Sequence, residues 1–149
     1  MGTKEVGERV LLIDEEFDFR STSTAEFLAL QGKQVEIVTR LPYVGMEINF
    51  TSWGPQIQRL RKNGVLLTPL TGVKEIQGNT VVLFDIFTQE ERRLEGIDTV
   101  VLSMINKANS DLHGQLKGKV KELYAVGDCV APRRVIDAVY EGHRVARLL

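Results

Sequence analysis

The sequence predicts an α/β protein that combines a parallel sheet with an antiparallel β-meander. Three observations lead to this prediction. Short apolar runs alternate with segments of helical apolar spacing in the first part of the chain, as in βαβ units. Strand-like segments separated by short turns follow, and the chain closes with a strand-like segment and an amphipathic helix. With 149 residues, the chain is long enough to bury a hydrophobic core without disulfides or metals.

The composition is ordinary for a globular protein and excludes several classes of function. Nineteen basic and twenty acidic side chains give a net charge of -1, without the basic excess of a nucleic-acid binder. No apolar run reaches the length of a membrane span, and the first residues contain no signal-peptide core. The single cysteine, Cys129, excludes a disulfide framework, a thiolate zinc site or an iron–sulfur cluster supplied by this chain alone. His113 and His143 lack metal-ligand spacing. We therefore expect a soluble, cytoplasmic protein with no metal site and no nucleic-acid or membrane partner.

The first two strands and the helix between them form one predicted βαβ unit. Residues 10–13, Val-Leu-Leu-Ile, are a short apolar run typical of a buried parallel strand. Residues 34–39 alternate and are rich in β-branched side chains, which predicts the second strand. Between them, Ser23 followed by Glu26 matches a capping box. This pattern predicts a polar loop and then a helix that begins at Ser23 and ends at Gly32.

A second helix and a third strand continue the parallel part. Pro55 marks the predicted start of a helix that runs to Lys62, with Ile57 and Leu60 facing inward. Residues 40–50, which include Pro42 and Gly45, are expected to form a loop. Residues 65–67 are a short apolar run that predicts the third strand.

The pattern then changes to that of an antiparallel meander. Strand-like segments at 71–77, 80–87 and 91–95 are joined by a Gly-Asn pair and by a polar turn. Residues 99–102 return to the apolar type and predict another parallel strand.

The last segment carries the strongest functional signal. Residues 122–126 predict a strand that ends at Gly127 and Asp128, and residues 134–149 have the spacing of an amphipathic helix. A glycine at such a turn lets the backbone pass close to a ligand, and an aspartate accepts hydrogen bonds from ligand hydroxyl groups. Gly-Asp alone favours a plain strand–turn–helix, so the longer string around it decides between the two interpretations.

That longer string resembles a known family. Residues Leu123 to Arg134, LYAVGDCVAPRR, with EGHRVA at 141–146, resemble the C-terminal end of the NADH:flavin oxidoreductase family, typified by trimethylamine dehydrogenase and 2,4-dienoyl-CoA reductase. Residues 39–47, TRLPYVGME, are similar to N-demethylases and related amine-oxidising members. The resemblance extends from about Gly7 to the end of the chain. It implies a Rossmann-like FAD/NAD(P)-binding fold in three layers, with a parallel sheet and a meander.

The same resemblance implies a domain organisation and a set of cofactors. Residues 1–118 would form an NAD(P)-binding-like domain with its meander at about 71–95, and residues 119–149 the terminal strand and helix of an FAD/ADP-binding half. Family members carry FMN and an iron–sulfur cluster in and beside an N-terminal TIM barrel, which this sequence lacks. The chain is therefore expected to be a fragment of a longer flavoenzyme, with no catalytic residue of its own. Its partners would be the barrel and the first FAD-binding half, and FAD or ADP would bind in the whole enzyme.

On the FAD/ADP side, the resemblance assigns cofactor binding to the turn after the last predicted strand. The residues are Gly127, Asp128, Cys129, Ala131, Pro132 and Arg133. Cys129 is expected to be a small residue that lines the cofactor site.

On the NAD(P) side, the phosphate-binding glycines are missing. If Glu26 takes the place of the acid that follows the glycine-rich fingerprint, the three glycine positions fall on Phe19, Ser21 and Thr24. Side chains at these positions would obstruct a pyrophosphate, and the four carboxylates of residues 14–18 would repel it.

Two further features belong to the NAD(P) side, namely Arg40 and a second turn. Arg40 follows the second strand, where an NADP-binding domain could hold a 2′-phosphate, although a surface arginine is the alternative. Residues 103–106, Ser-Met-Ile-Asn, stand where relatives usually have an Ala-Thr-Gly turn. Ser21, Thr24 and Arg40 would thus belong to a degenerate NAD(P) site, and we do not expect NAD(P)H to bind.

Two classes of function remain open at this point. The chain is either a nucleotide-binding-like domain that supports FAD or ADP and electron transfer, or a non-catalytic module for assembly or electron-carrier docking. Tyr43, Met46 and Trp53 are compatible with a contact surface for a neighbouring domain and equally with core packing. Because residues 122–149 lack the sheet they would complete, we also predict that this tail packs back on the chain or swaps into a second copy.

Overall fold

The computed structural model describes residues 5–149 and confirms the α/β class with two sheets. The chain divides into two compact units, one ending at Met104 and one spanning Ile105–Leu149. The strands are β1 (Arg9–Asp14), β2 (Gln34–Val38), β3 (Leu66–Thr68), β4 (Thr71–Gln77), β5 (Thr80–Asp85), β6 (Glu91–Leu94) and β7 (Thr99–Ser103). The helices are α1 (Phe19–Leu30), α2 (Phe50–Lys62), α3 (Asp111–Leu116) and α4 (Val135–Ala146).

The first unit has three layers, with the parallel sheet in the middle. The strand order is β3-β2-β1-β7, and all three pairings are parallel. On one face, Leu12 and Ile37 pack with Leu60 of α2 and with residues of α1. On the other face, Leu11 and Val38 pack against the meander. Since both faces are covered, β1 contains a continuous apolar run, and each fully buried leucine contributes about 2 kcal/mol.

The meander agrees closely with its sequence prediction. Strands β4, β5 and β6 pair antiparallel in chain order. Glu36, nearly buried in β2, links the two sheets. Its Oε1 accepts hydrogen bonds from Thr68 Oγ1 at 2.6 Å and from Arg92 Nη2 in β6 at 2.8 Å.

The predicted start of α1 is wrong, because the helix begins at Phe19 and not at Ser23. Asp18 is the N-cap, and its Oδ1 accepts from the backbone N of Phe19 at 2.7 Å. Residues 19–22, which were expected in a polar loop, lie in the first helical turn. Ser21 is buried there and donates to the carbonyl of Asp18, as hydroxyls inside helices commonly do.

The predicted start of α2 is also wrong, by about one and a half turns. Asn49 caps the helix, its Oδ1 accepting from the backbone N of Thr51 at 3.0 Å, and Pro55 lies inside. Proline is a start signal because it suits the first helical turn, but Pro55 is the sixth residue of α2, and the helix begins instead where Asn49 caps it. Leu60 is buried and Ile57 packs against the core, as expected.

The second unit contains one helix that was predicted and one that was not. Helix α4 confirms the terminal amphipathic helix, and α3 was not predicted. Residues 122–126 have no regular secondary structure and pair with no strand among residues 5–149, so the predicted strand is wrong. A strand exists only through hydrogen bonds to a neighbour, which an apolar sequence pattern cannot supply. The expected boundary at 118/119 concerns the halves of a family fold and stays a prediction.

Membrane spans and metal clusters are both absent from the described residues. No helix within residues 5–149 is long and apolar enough to cross a membrane. In the same range, no group of three or more His, Cys, Asp or Glu side chains could hold a metal ion.

Candidate functional site

The turn between β1 and α1 is occupied by the chain's own carboxylate. Asp14 ends β1 and is wholly buried. Its Oδ1 accepts hydrogen bonds from the backbone N of Phe17 at 2.8 Å and of Glu16 at 3.2 Å. These amides lie at the carboxyl end of the first parallel strand, where a dinucleotide-binding domain presents backbone N–H groups to a pyrophosphate. An oxygen of the chain's own carboxyl group therefore already accepts from the donors of this turn.

Burial governs the protonation of Asp14. It raises the pKa of the Asp14 carboxyl above its ordinary value, and the hydrogen bonds from Phe17, Ser21 and Glu16 oppose this shift only in part. Asp14 Oδ2 is buried without a hydrogen-bond partner in the described part of the chain. Such an oxygen favours the protonated form, because a neutral carboxyl costs less to bury than a carboxylate.

Phe17 gives the turn an unusual backbone. Its φ of 65° lies in the left-handed region, which costs a non-glycine residue roughly 1–2 kcal/mol. The carbonyl of Phe17 accepts a hydrogen bond from the backbone N of Glu47 at 2.9 Å, which holds the loop after β2 against the turn. The turn thus keeps a conformation that suits glycine although no glycine is present.

The arginines near this turn are paired with its carboxylates. Arg40 Nε lies 3.4 Å from Glu15 Oε1, and its guanidinium carbon lies 5.7 Å from the centre of the Phe84 ring. Arg20 forms an ion pair with Glu16 at 2.8 Å, and Glu16 also accepts from Ser103 Oγ at 3.1 Å. Arg40 is therefore held between an acid and an aromatic ring.

The structure brings Ser21 close to the Asp14 carboxyl but leaves Thr24 away from the turn. Both lie within α1, where Ser21 Oγ donates to the Asp18 carbonyl at 2.9 Å and Thr24 Oγ1 to the Arg20 carbonyl at 2.7 Å. The turn after β1 is formed instead by Asp14, the last residue of the strand, and by Glu16, which the sequence placement of the fingerprint missed. The signal that could have found them is the end of the apolar run at Ile13.

The second unit contains a tight turn at Gly127. Gly127 is buried with a φ of 69°, and a Cβ there would lie 3.2 Å from Ala138 Cβ of α4. Its N–H donates to Glu141 Oε2 at 2.7 Å. Glycine is required by both the φ and the close approach. The turn is thereby fixed to α4.

Glu141 and Arg133 also hold the Gly127 turn in place. The Arg133 guanidinium donates to Glu141 Oε1 in a salt bridge, and Arg133 Nε donates to the Ala131 carbonyl at 3.2 Å. The hydrogen bond from Gly127 and the Arg133 charge hold the pKa of Glu141 below its ordinary value. Arg133 is thus engaged within the turn that the sequence assigned to cofactor binding.

A cavity of about 690 Å³ lies within the second unit beside this turn. Of the six residues assigned to the FAD/ADP side, Asp128, Cys129 and Pro132 line it, whereas Gly127, Ala131 and Arg133 do not. Cys129 is half-buried, and its Sγ donates to the Val126 carbonyl at 3.0 Å.

The opposite side of the cavity was missed by the sequence analysis. It includes Lys107 and His113, from the segment that follows the unusual 103–106 string and from α3. The cavity has the size of a small-molecule site and combines apolar walls with charged and polar groups. Only the tertiary structure associates these residues with Asp128, because no motif marks them.

Comparisons with known proteins confirm the family resemblance. No protein-family model matches the chain. It is 27% identical to dimethylamine dehydrogenase from Hyphomicrobium sp. (strain x), over 98% of this chain and 23% of that protein. It is 28% identical to a metal reductase from Desulforamulus reducens, over 80% of this chain and 18% of that protein. The structure of histamine dehydrogenase from Rhizobium sp. 4-9 matches with a TM-score of 0.87 and 27% identity, over 97% of this chain and 23% of that one. The chain is thus similar to trimethylamine dehydrogenase-type flavoproteins and spans about a fifth of their length.

Proposed function

We propose that this chain is the nucleotide-binding-like region of a flavin-dependent oxidoreductase of the trimethylamine dehydrogenase/2,4-dienoyl-CoA reductase type, and that it supports bound FAD or ADP. The observation that carries the proposal is the exposed Asp128 on the cavity beside the Gly127 turn. The relationship to longer flavoproteins supports it. The parent's catalysis, its FMN and its iron–sulfur cluster belong to parts of the longer protein outside this chain.

The residues of the cavity have complementary roles in this proposal. The Asp128 carboxylate accepts hydrogen bonds from ribose or ribityl hydroxyls, and Lys107 brings a positive charge that suits a phosphate. The salt bridge between Arg133 and Glu141 holds the turn in place and leaves Asp128 to meet the cofactor. When bound, the flavin supplies electron transfer, and the protein supplies position and charge.

We further propose that the NAD(P)-like half binds no nicotinamide nucleotide. The groups that would meet its phosphates are engaged internally, the amides of Glu16 and Phe17 by Asp14 and the Arg40 guanidinium by Glu15. An external phosphate would have to displace a covalently attached carboxylate and would meet the remaining acids of the turn.

The test of the FAD/ADP proposal is Asp128→Ala in the longer protein. Loss of a hydrogen bond to a charged acceptor costs about 1.5–3 kcal/mol of binding free energy. We therefore expect the affinity for FAD or ADP to fall at least about tenfold. The measurement is the nucleotide released per polypeptide on denaturation. Asp111→Ala, an exposed aspartate outside the cavity lining, is the matched control.

One alternative function has an observation in its favour. A non-catalytic module for assembly or electron-carrier docking fits a domain whose dinucleotide turn is filled by its own Asp14. Unchanged FAD and ADP content in Asp128→Ala, with altered stability at most, would favour this alternative over the FAD/ADP proposal.

A further inference from the structure

An apolar pocket lies on the first unit, outside both sites described above. Its volume is about 490 Å³, and its lining consists of Tyr43, Met46, Ile48, Phe50 and Trp53. Ile48 forms the floor at 5% exposure, whereas Phe50 is 88% exposed. None of the five side chains is charged.

The pocket is preformed by hydrogen bonds and ring packing. Trp53 Nε1 donates to the carbonyl of Val44 at 2.8 Å, and the Tyr43 and Trp53 rings pack edge to face with centroids 5.3 Å apart. The backbone bond between Glu47 and Phe17 ties the same loop to the β1–α1 turn. A partner would therefore meet a fixed surface and would not have to order it.

The lining has the composition of a protein interface. Tyrosine, tryptophan, phenylalanine and methionine are enriched at interface cores, from which charged residues are depleted. Small-ligand pockets carry polar groups that fix orientation, but the Trp53 N–H is already used by Val44. Covering Phe50 alone would contribute on the order of 2 kcal/mol. A protein segment with an apolar side chain fits this pocket better than a polar small molecule does.

The area of the patch limits what can occupy it. At about 200 Å² for a large side chain, the exposed parts of Tyr43, Met46 and Phe50 amount to roughly 350 Å². A stable complex between separate proteins buries about 800 Å² on each partner, so a second copy or a diffusing protein would bind weakly here. A segment of the same polypeptide acts at an effective concentration in the millimolar range and needs much less area.

The charge around the pocket indicates the chemistry of the occupant. Besides the buried Asp14, residues 14–20 and 40–53, which the Phe17–Glu47 hydrogen bond joins, contain four carboxylates and two arginines. This negative excess favours a partner whose apolar side chain is flanked by lysine or arginine.

We propose that the pocket formed by Tyr43, Met46, Ile48, Phe50 and Trp53 docks an apolar segment flanked by basic residues from another part of the longer polypeptide. The inference rests on the proposed function, because that function makes this chain part of a flavoprotein several times its length. It goes beyond that function by assigning an interdomain contact to a surface outside both nucleotide-like sites.

The test is hydroxyl-radical footprinting of this chain alone and of the longer protein. Phe50 and Met46 report on the pocket, and Phe27 and Phe87, at 61% and 76% exposure on α1 and on the β5–β6 turn, are the controls. Because oxidation follows exposure and an interface core excludes water, we expect the oxidation rates of Phe50 and Met46 to fall about fivefold or more in the longer protein. The two control rates should change much less, and the protection should not depend on protein concentration.

Three results would overturn the inference. Equal oxidation of Phe50 in both proteins would show that nothing docks there. Protection that rises with concentration in this chain alone would identify a second copy as the occupant. Equal protection of Phe27 and Phe87 would show general burial and not docking at the pocket. The FAD and ADP content of the Asp128→Ala protein is measured independently, so either proposal can fail while the other stands.

Discussion

Asp14 illustrates how one side chain can change the chemistry of a turn. A glycine at the end of a first parallel strand leaves backbone amides open to a phosphate. Here the Asp14 carboxyl accepts from two of those amides and is itself cut off from water. The turn is thereby stabilised by an internal acceptor.

The pH dependence of stability provides a test of Asp14. Burial raises its pKa, so the folded protein holds the Asp14 proton more tightly than the unfolded chain, in which this carboxyl ionises near its ordinary value of 3.8. Its stabilising contribution is complete below that pH and is lost as the pH rises through the folded-state pKa. An asparagine side chain cannot ionise, so we expect the free energy of unfolding of Asp14→Asn, relative to wild type, to increase from about pH 4 towards neutrality.

Urea denaturation followed by the fluorescence of Trp53, the single tryptophan, measures this difference. Asp111→Asn serves as the exposed control and should run parallel to wild type. Parallel profiles for Asp14→Asn as well would contradict the raised pKa.

Among the secondary-structure elements, strand β4 needs a glycine at position 72 because a neighbouring ring packs closely there, and not because of the glycine's φ. Gly72 pairs with Phe84 of β5, and a Cβ at Gly72 would lie 2.4 Å from the Phe84 ring. The same ring lies beneath the Arg40 guanidinium. Displacing it would therefore disturb both the meander and the contact with the loop after β2.

We expect Gly72→Ala to lower the free energy of unfolding by about 1–3 kcal/mol, the usual cost of overpacking. Gly54→Ala is the matched control. Gly54 lies inside α2 with open space around its Cβ position, so alanine there should raise stability by about 0.5–1 kcal/mol. Chemical denaturation of both variants gives the two values, and a stable Gly72→Ala protein would show that the Phe84 ring moves without cost.

For the whole molecule, the central prediction concerns nucleotides. We expect isothermal titration of the wild-type chain with NADH and with NADPH to give no saturable heat, because Asp14 and Glu15 engage the phosphate-binding groups. The titration should extend to protein concentrations that detect millimolar binding. Saturable binding of either nucleotide would show that the glycine-free turn is a working variant site.

The tail beyond Gly118 is the second prediction for the whole molecule. Val135 and Ile136 of α4 are 80% and 72% exposed, and residues 122–126 lack a strand partner in the described chain. Covering such a surface is favourable, so we expect the tail to pack back on the chain or to swap into a second copy. Sedimentation velocity with limited proteolysis tests this. A monomer that is cut rapidly after Gly118 would contradict it.

The sequence alone determined most of the strands, the three-layer α/β class and the resemblance to trimethylamine dehydrogenase-type flavoproteins. These follow from local patterns. β1 is a short apolar run, β2 alternates and is rich in β-branched residues, short turns separate the meander strands, and the LYAVGDCVAPRR string is specific. Helix starts were predicted less well. Asp18 and Asn49 cap α1 and α2, although Ser23 and Pro55 carry equally good local signals.

Tertiary structure decided which groups meet. Asp14 reads as the end of a strand in the sequence, but only the folded turn directs its carboxyl to the amides of Phe17 and Glu16. Lys107 and Asp128 line one cavity although 20 positions separate them. Residues 122–126 have a strand pattern, yet they form no strand because the hydrogen bonds of a strand depend on a neighbour. Local periodicity specifies which face of an element is apolar, whereas contacts between distant residues depend on how the elements pack.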